Sequence, residues 1–243
     1  MRTYVTAAIF AIAIIVASIV LGNAFMNRNK ADGSLDVTGL GKADFTSDLI
    51  VWEGSFSRES FNLQQAYSDL ENDKKVIADY LKGKGITENE LVFKAVRSMK
   101  NTRPTYTSEG QFTGEEFLGY ILTQELQIDS RDVEKVEKVS REITELLNRG
   151  IQFYSQSPRY YYTQLADLKI EMISMATEDA RIRAEKIAEN SSSELGKLIS
   201  AKMGIFQITG QNSNEDYSWG GTYNTSEKEK TASITMKLTY EVD

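Results

Sequence analysis

The chain has no cysteine and no histidine. The first absence excludes a disulfide framework, a thiolate nucleophile and any Cys-based zinc or iron–sulfur centre. The second removes the usual general base near neutral pH, every Ser–His triad and every His metal site. Carboxylate, lysine or tyrosine chemistry survives these exclusions, as does no chemistry at all. The sequence points to no reaction and implies no cofactor. Basic charge is also scarce: 28 Lys and Arg stand against 35 Asp and Glu, a net −7 over 243 residues.

One long uncharged run is present. Residues 4–26 are rich in Ala, Ile and Val, with Arg2 before them and Arg28 and Lys30 after. As a helix this run would extend roughly 35 Å, enough for the ~30 Å hydrocarbon layer with some tilt. A cleavable signal peptide has a shorter apolar core of ~7–15 residues and small residues at its cleavage site. The end of this run, Leu21-Gly22-Asn23-Ala24-Phe25, is a poor site of that kind. An uncleaved membrane anchor is the first reading, a cleaved signal peptide the second and a buried helix the third. Basic residues flank both ends almost equally, so their distribution fixes no orientation. A body lying on the far side of a signal anchor is the simplest arrangement. Beyond residue 30 that body carries 25 basic against 35 acidic residues, a net −10. A nucleic-acid binder needs a basic stripe that releases phosphate counter-ions. None is visible, and nucleic acid is not an expected partner.

The body alternates strands and helices. Residues 35–40 and 50–56 read as strands, with Ile50, Trp52 and Phe56 on one face and Gly54 between them. A helix over 59–82 carries Leu63, Ala66, Tyr67, Leu70, Ile77 and Leu81 at three- and four-residue spacing. A strand over 91–99 and another over 117–128 flank a polar stretch, 100–115, whose Pro104, Gly110 and Gly114 predict a hairpin loop. Asp129-Ser130 predict the cap of a second helix with Val133, Val136, Val139, Ile143, Leu146 and Leu147 on one side. Extended pieces follow at 151–156 and 160–162. A third helix over 164–190 has the strongest stripe, Leu165, Leu168, Met172, Met175, Ala176, Ala180, Ala184 and Ile187. Residues 198–208 are mostly extended, and 209–226 form a Gly/Asn/Ser-rich loop. Residues 231–243 alternate strictly, Ala232, Ile234, Met236, Leu238 and Tyr240 inward, as a half-buried antiparallel strand does. The expected class is α+β, antiparallel sheets with three helices packed on one face.

Particular residues then carry a resemblance. Val37-Thr38-Gly39-Leu40-Gly41-Lys42-Ala43 is similar to the V-T-G-x-G-x-A opening of the SIMPL-domain family, exported bacterial envelope proteins long known as a domain of unknown function. Ala176, Asp179-Ala180-Arg181, Arg183-Ala184, Ile187-Ala188 and Leu195-Gly196-Lys197 resemble its A-x-x-x-A-R-x-x-A-x-x-I-A…L-G element, and the closing Thr239-Tyr240-Glu241-Val242 its last strand. Two departures stand out. Ser47-Asp48 replaces the family's usual Pro-Asp, and Asn190-Ser191-Ser192-Ser193 blurs a usual Gly. The resemblance implies a two-part α+β fold with an inserted ferredoxin-like unit: residues 1–30 as anchor or signal, 31–115 with 191–243 as the sheet-rich part, 116–190 as the insert. It also implies homo-oligomerisation, a bacterial envelope location, a link to stress tolerance, and no agreed catalytic residues.

Each candidate site has a plain structural counterpart. Arg181 and Arg183 could meet an anion or a partner; alternatively the small residues Ala176, Ala180, Ala184 and Ala188 let the helix approach a sheet while Arg and Glu cover its solvent face. Gly39 and Gly41 lack the third glycine and helix start of a phosphate cradle. The acids Glu115-Glu116, Asp129/Asp132 and Glu215-Asp216 lack calcium-loop spacing. Tyr160, Tyr161 and Tyr162 on one strand must expose at least one ring, to an oligomer interface or a glycan, or to core and rim packing. Tyr217, Trp219 and Tyr223 form a second possible contact patch in the Gly-rich loop. The leading expectation is a non-enzymatic, membrane-anchored or exported interaction protein. A glycan or small-ligand binder and a carboxylate-pair hydrolase or lyase are its alternatives.

Overall fold

A computed structural model describes residues 11–23, 33–216 and 218–242. Residues 11–23 form helix α1. The rest of the apolar run lies outside the described residues, and among them no helix is long and apolar enough to cross a membrane. The body runs β1 (Ser34–Thr46), β2 (Leu49–Ser60), α2 (Leu63–Gly83), β3 (Leu91–Phe93), β4 (Arg97–Tyr106), β5 (Phe112–Ser130) and α3 (Val133–Glu142). A 3₁₀ segment (Ile143–Arg149) leads to β6 (Phe153–Ser155), β7 (Arg159–Tyr161), α4 (Leu165–Asn190), β8 (Leu195–Met203), β9 (Gln207–Gly210) and β10 (Glu229–Val242). The class is α+β with antiparallel sheets. The helix count of three is corrected to four among the described residues. The addition is α1, and the second expected helix is shorter, its end tightened into a 3₁₀ turn closed by Gly150 at φ 76°.

Two compact units form. Unit 1 holds the chain up to Gly41, Ile173–Gly204 and the chain from Ile234; unit 2 holds Lys42–Met172 and Ile205–Ser233. The boundary read near residue 115 falls inside β5 of unit 2, and that at 190 on the last residue of α4.

In unit 1 the sheet order is β1-β10-β8. Ala176, Ala180, Ala184 and Ala188 of α4 are buried, as are Val37, Ile234, Met236, Leu238 and Tyr240 of the strands. The absence of side-chain bulk allows a close approach: a Cβ built on Gly39 would stand 2.1 Å from the Ala176 carbonyl oxygen and 2.4 Å from the Ala180 nitrogen. Asp179 fixes the same crossing by accepting the Leu40 N–H at 2.8 Å.

In unit 2 the strand order is β3-β5-β2-β6, with β4 also on β5 and β7 also on β2. β2 and β5 pair antiparallel from Ile50↔Ser130 to Ser60↔Tyr120. Trp52 and Phe56 of β2, Leu126 and Ile128 of β5, Leu70, Ile77 and Leu81 of α2, and Val136 of α3 are all wholly buried in one core. Gly54 yields its side-chain space to Phe153, whose ring lies 2.2 Å from where a Cβ would sit.

Strand pairing shifts two helix starts. α2 begins at Leu63 because β2 stays in the sheet through Ser60; Asn62 then caps it, accepting from the Gln64 and Gln65 N–H groups at 2.9 and 3.2 Å. Asp129 and Ser130 pair with Val51 and Ile50, so Asp132 caps α3 instead, accepting the Lys135 N–H at 3.1 Å. Glu90 ties this corner to the strand before it. Its carboxylate accepts from Ser130 Oγ, from the Thr87 N–H at 2.8 Å and from Lys135 Nζ at 3.1 Å. Burial alone would raise the Glu90 pKa, but these bonds outweigh it and bring the group to about 2.

The hairpin predicted over 100–115 is present, but its loop is corrected in extent: most of the stretch is a two-stranded ribbon, and only residues 107–111 form the turn. β4 and β5 stay paired from Arg97↔Thr123 out to Tyr106↔Phe112, with irregularities at Asn101/Thr102 and Thr105/Tyr106. Pro104 lies in β4 opposite Glu115; a proline is tolerated on an edge strand, where its missing N–H interrupts no ladder.

Candidate interaction surface

The expectation that the three adjacent tyrosines expose at least one ring is corrected by β7: Tyr160 is buried, and Tyr161 and Tyr162 are half-buried because each packs on another aromatic ring. β7 pairs with β2 through Leu49↔Tyr161, Ile50↔Tyr160 and Val51↔Arg159. Because side chains alternate along a strand, Tyr160 and Tyr161 take opposite faces. Tyr160 turns into the core, 8% exposed, and its hydroxyl donates to Glu137 Oε1 at 2.8 Å. Burial, with the Glu137 carboxylate beside it, pushes the phenol well above its ordinary value. Tyr161 instead meets Tyr223 with ring centres 6.4 Å apart, and Tyr162 meets Phe45 at 4.8 Å. Both pairs lie in unit 2. Tyr223 is exposed, and burial of part of its ring raises its pKa against the opposing effect of the Tyr162 backbone.

The segment leading to Tyr223 is held from beneath by one side chain. Gln207 is buried; its Nε2 donates to the Ser218 carbonyl at 2.7 Å while its Oε1 accepts the Thr222 N–H at 2.7 Å. Between those anchors the chain turns tightly, the Gly221 N–H donating to the Ser218 carbonyl at 3.0 Å and Gly221 adopting φ 91°. The tip of this turn is Trp219, 95% exposed. Ile205, also exposed, lies under the turn, its Cγ2 3.3 Å from a Cβ built on Gly221. An exposed indole on a doubly bonded turn is contact area presented at low entropic cost. Tyr217 lies outside the described residues.

The base of the same loop contains a residue that the sequence reading does not single out. Lys230 is completely buried, its Nζ donating to the Asn224 carbonyl at 2.8 Å and to the Glu227 carbonyl. Asn224 in turn accepts the Ser226 and Glu227 N–H groups on Oδ1 and donates from Nδ2 to Glu215, which also accepts the Gly210 N–H at 3.2 Å. Burial pulls the Lys230 pKa down to about 8, against the pull of Glu227 and Glu215. The signal for it is visible in the alternation of β10, because residue 230 is in phase with the inward set 232, 234, 236, 238 and 240.

The remaining candidates are dispersed. Arg181 pairs with Glu178 at 2.7 Å and with Glu185, and Arg183 with Asp179 at 3.0 Å, all along α4. Gly41 is buried, and a Cβ on Gly196 would lie 2.8 Å from that of Glu241. Glu116 pairs with Arg103 at 2.6 Å, Asp129 accepts from Gln127 at 3.0 Å, and Glu215 belongs to the Lys230 loop. Among the described residues no three acids converge as a metal ion would require. At the family departure, Asp48 accepts the Thr163 N–H at 2.7 Å and its hydroxyl at 2.6 Å. The Ser47 N–H donates to the Lys228 carbonyl at 3.0 Å, and its buried hydroxyl has no partner.

No curated protein matches the chain. Residues 35–242 match the family described as SIMPL, protein of unknown function (DUF541). That match spans both units, from the Gly39 crossing and the buried alanine row of α4 to the last paired strand, and the chain is therefore a member of the SIMPL family.

Proposed function

We propose that this SIMPL protein is a non-enzymatic interaction module of the bacterial envelope, tethered by its N-terminal apolar run and assembling with copies of itself through the aromatic surface of unit 2. The observation that carries the reading is Trp219, 95% exposed on a turn whose two ends are both bonded to the buried Gln207. Such a ring has the character of an interface anchor, and Tyr223, exposed on the same loop, adds a second aromatic. The family's envelope setting supports the location, and a role in stress tolerance rests on that setting alone. A ferredoxin-like reading belongs to unit 2. The succession β2-α2-β3-β5-α3-β6 with order β3-β5-β2-β6, antiparallel in its β3–β5, β2–β5 and β2–β6 pairs, supports it over residues 49–155.

The test is native mass. Full-length protein extracted in mild detergent is expected to run as an oligomer by light scattering, and Trp219→Ser with Tyr223→Ala to shift it toward the monomer. A monomeric wild type, or an unchanged mass in the double variant, sinks the reading. If the mass holds while binding to an immobilised glycan array is lost, the glycan-binding alternative takes its place.

A further inference from the structure

Lys230 is a cation in an unusual position. It is completely buried, and among the described residues no carboxylate lies within 4 Å of its Nζ. The acids around it are engaged elsewhere. Glu215 is bonded to Asn224 and the Gly210 N–H. On β1, Asp44 is bonded by Thr231 at 2.6 Å and Gln211 at 3.2 Å. Glu229 is bonded by Thr46 at 2.6 Å. On α3, Glu134 and Glu137 are taken by Lys228, and Glu137 also by Tyr160 of β7. Glu227 offers Lys230 its backbone carbonyl, and its side chain packs over Gly210. An ammonium stripped of water and given only carbonyl dipoles is held at a cost that its neutral amine does not bear.

We infer that Lys230 is a protonation-sensitive latch on loop 218–228: the charged ammonium loads the closed loop and favours its opening, and the neutral amine lets it close. Both carbonyls that hold the ammonium, those of Asn224 and Glu227, belong to this loop, so the charge can return to water only by freeing the loop's C-terminal end. The sign follows from linkage. In the closed loop the group titrates near 8, and in the open loop at its ordinary value near 10.5. The open form therefore binds more protons between those values, and opening falls about 300-fold as pH rises across that window. The same loop carries Trp219, so the latch regulates the surface proposed above and depends on that reading only for its biological use.

The experiment uses the full-length chain and an amine-acylating reagent, with labelling read at each lysine by mass spectrometry from pH 6.5 to 10. Lys230 can react only when the loop is open and the amine is neutral. Opening falls with pH while the neutral fraction of the open form rises, so the product of the two follows the closed-state titration alone. The Lys230 rate is expected to lie below that of exposed Lys75 and Lys100, to level off above about pH 8 and so to fall further behind them as pH rises. Exposed lysines keep gaining about tenfold per unit toward their ordinary pKa. Three outcomes overturn the latch: a Lys230 rate that climbs in parallel with the exposed lysines to pH 10, a rate equal to theirs, or no labelling at any pH. Amide exchange of Ile208, Thr222 and Asn224, corrected for intrinsic rate, checks that the loop is what moves. It should slow between pH 8 and 10 in the wild type and lose that dependence in Lys230→Met. None of these readouts involves native mass, so failure of the latch and failure of the assembly reading are separable.

Discussion

Gly39 shows how one missing side chain sets the geometry of a unit. The α4 backbone passes so near β1 that a methyl at residue 39 would overlap the Ala176 carbonyl oxygen at 2.1 Å. Neither neighbour is a flexible side-chain end, so the helix or the strand must move. Gly39→Ala is expected to cost about 1–3 kcal/mol, the usual range for overpacking, read as a lower urea midpoint. Ser47 makes the opposite case. Its hydroxyl is buried without a partner, so Ser47→Ala removes an unsatisfied group and should leave stability unchanged or raise it by up to about 1 kcal/mol. A clear loss in the same titration would show that the hydroxyl is satisfied after all. Glu90 carries an acid-sensitive contribution. Its folded pKa of about 2 lies below the unfolded value near 4.3, so its stabilisation is complete above the unfolded value and fades as pH falls toward 2. Roughly 3 kcal/mol is at stake in full, about 2 of it between pH 5 and pH 2.5, and Glu90→Gln should flatten the fall in unfolding free energy over that window.

At the scale of elements, legibility followed the apolar pattern and failed where position in the sheet overrode local chemistry. β10 was readable because Ile234, Met236, Leu238 and Tyr240 recur at the period of a pleat. α4 was readable because its alanines repeat every four residues. The ribbon of β4 and β5 was not, since Pro104, Gly110 and Gly114 are loop signals in isolation. Only pairing across the turn shows that Pro104 occupies an edge and that Gly114, at φ 140°, serves an extended strand. The starts of α2 and α3 moved for a related reason: good capping residues were already committed to the sheet. No residue from 97 to 118 is buried, so the ribbon adds nothing to the core. Replacing residues 103–116 by Asn-Gly is expected to leave the thermal midpoint of unit 2 within a few degrees of the wild type, by circular dichroism. A large drop would mean the ribbon is structural.

For the whole molecule, the sequence's lack of cysteine and histidine narrowed the chemistry but could not locate a surface. Tyr161 and Tyr223 are 62 positions apart and meet only through β7 and the return of the loop. Lys230 was hidden as one more charge in an acidic body. The two units differ in how far their parts are spread along the chain. Every residue of the unit 2 core lies between Ile50 and Tyr160. A fragment spanning 48–163 should therefore unfold cooperatively in urea, and a gradual, non-cooperative loss of its circular dichroism signal would show that its core needs the later segment.

Unit 1 has no such independence, and this has a consequence for synthesis. Thr239 donates to Asp36 across 203 positions, and β1 has no strand beside it in its sheet until β10 has been made. During translation the core residues of unit 2 emerge together while β1 waits, an open strand, for the last segment of the polypeptide. A premature stop shortly before Ile234 would remove most of β10 from unit 1 while sparing every core residue of unit 2. The product would carry an exposed edge, a target for proteolysis or aggregation rather than a partly working protein.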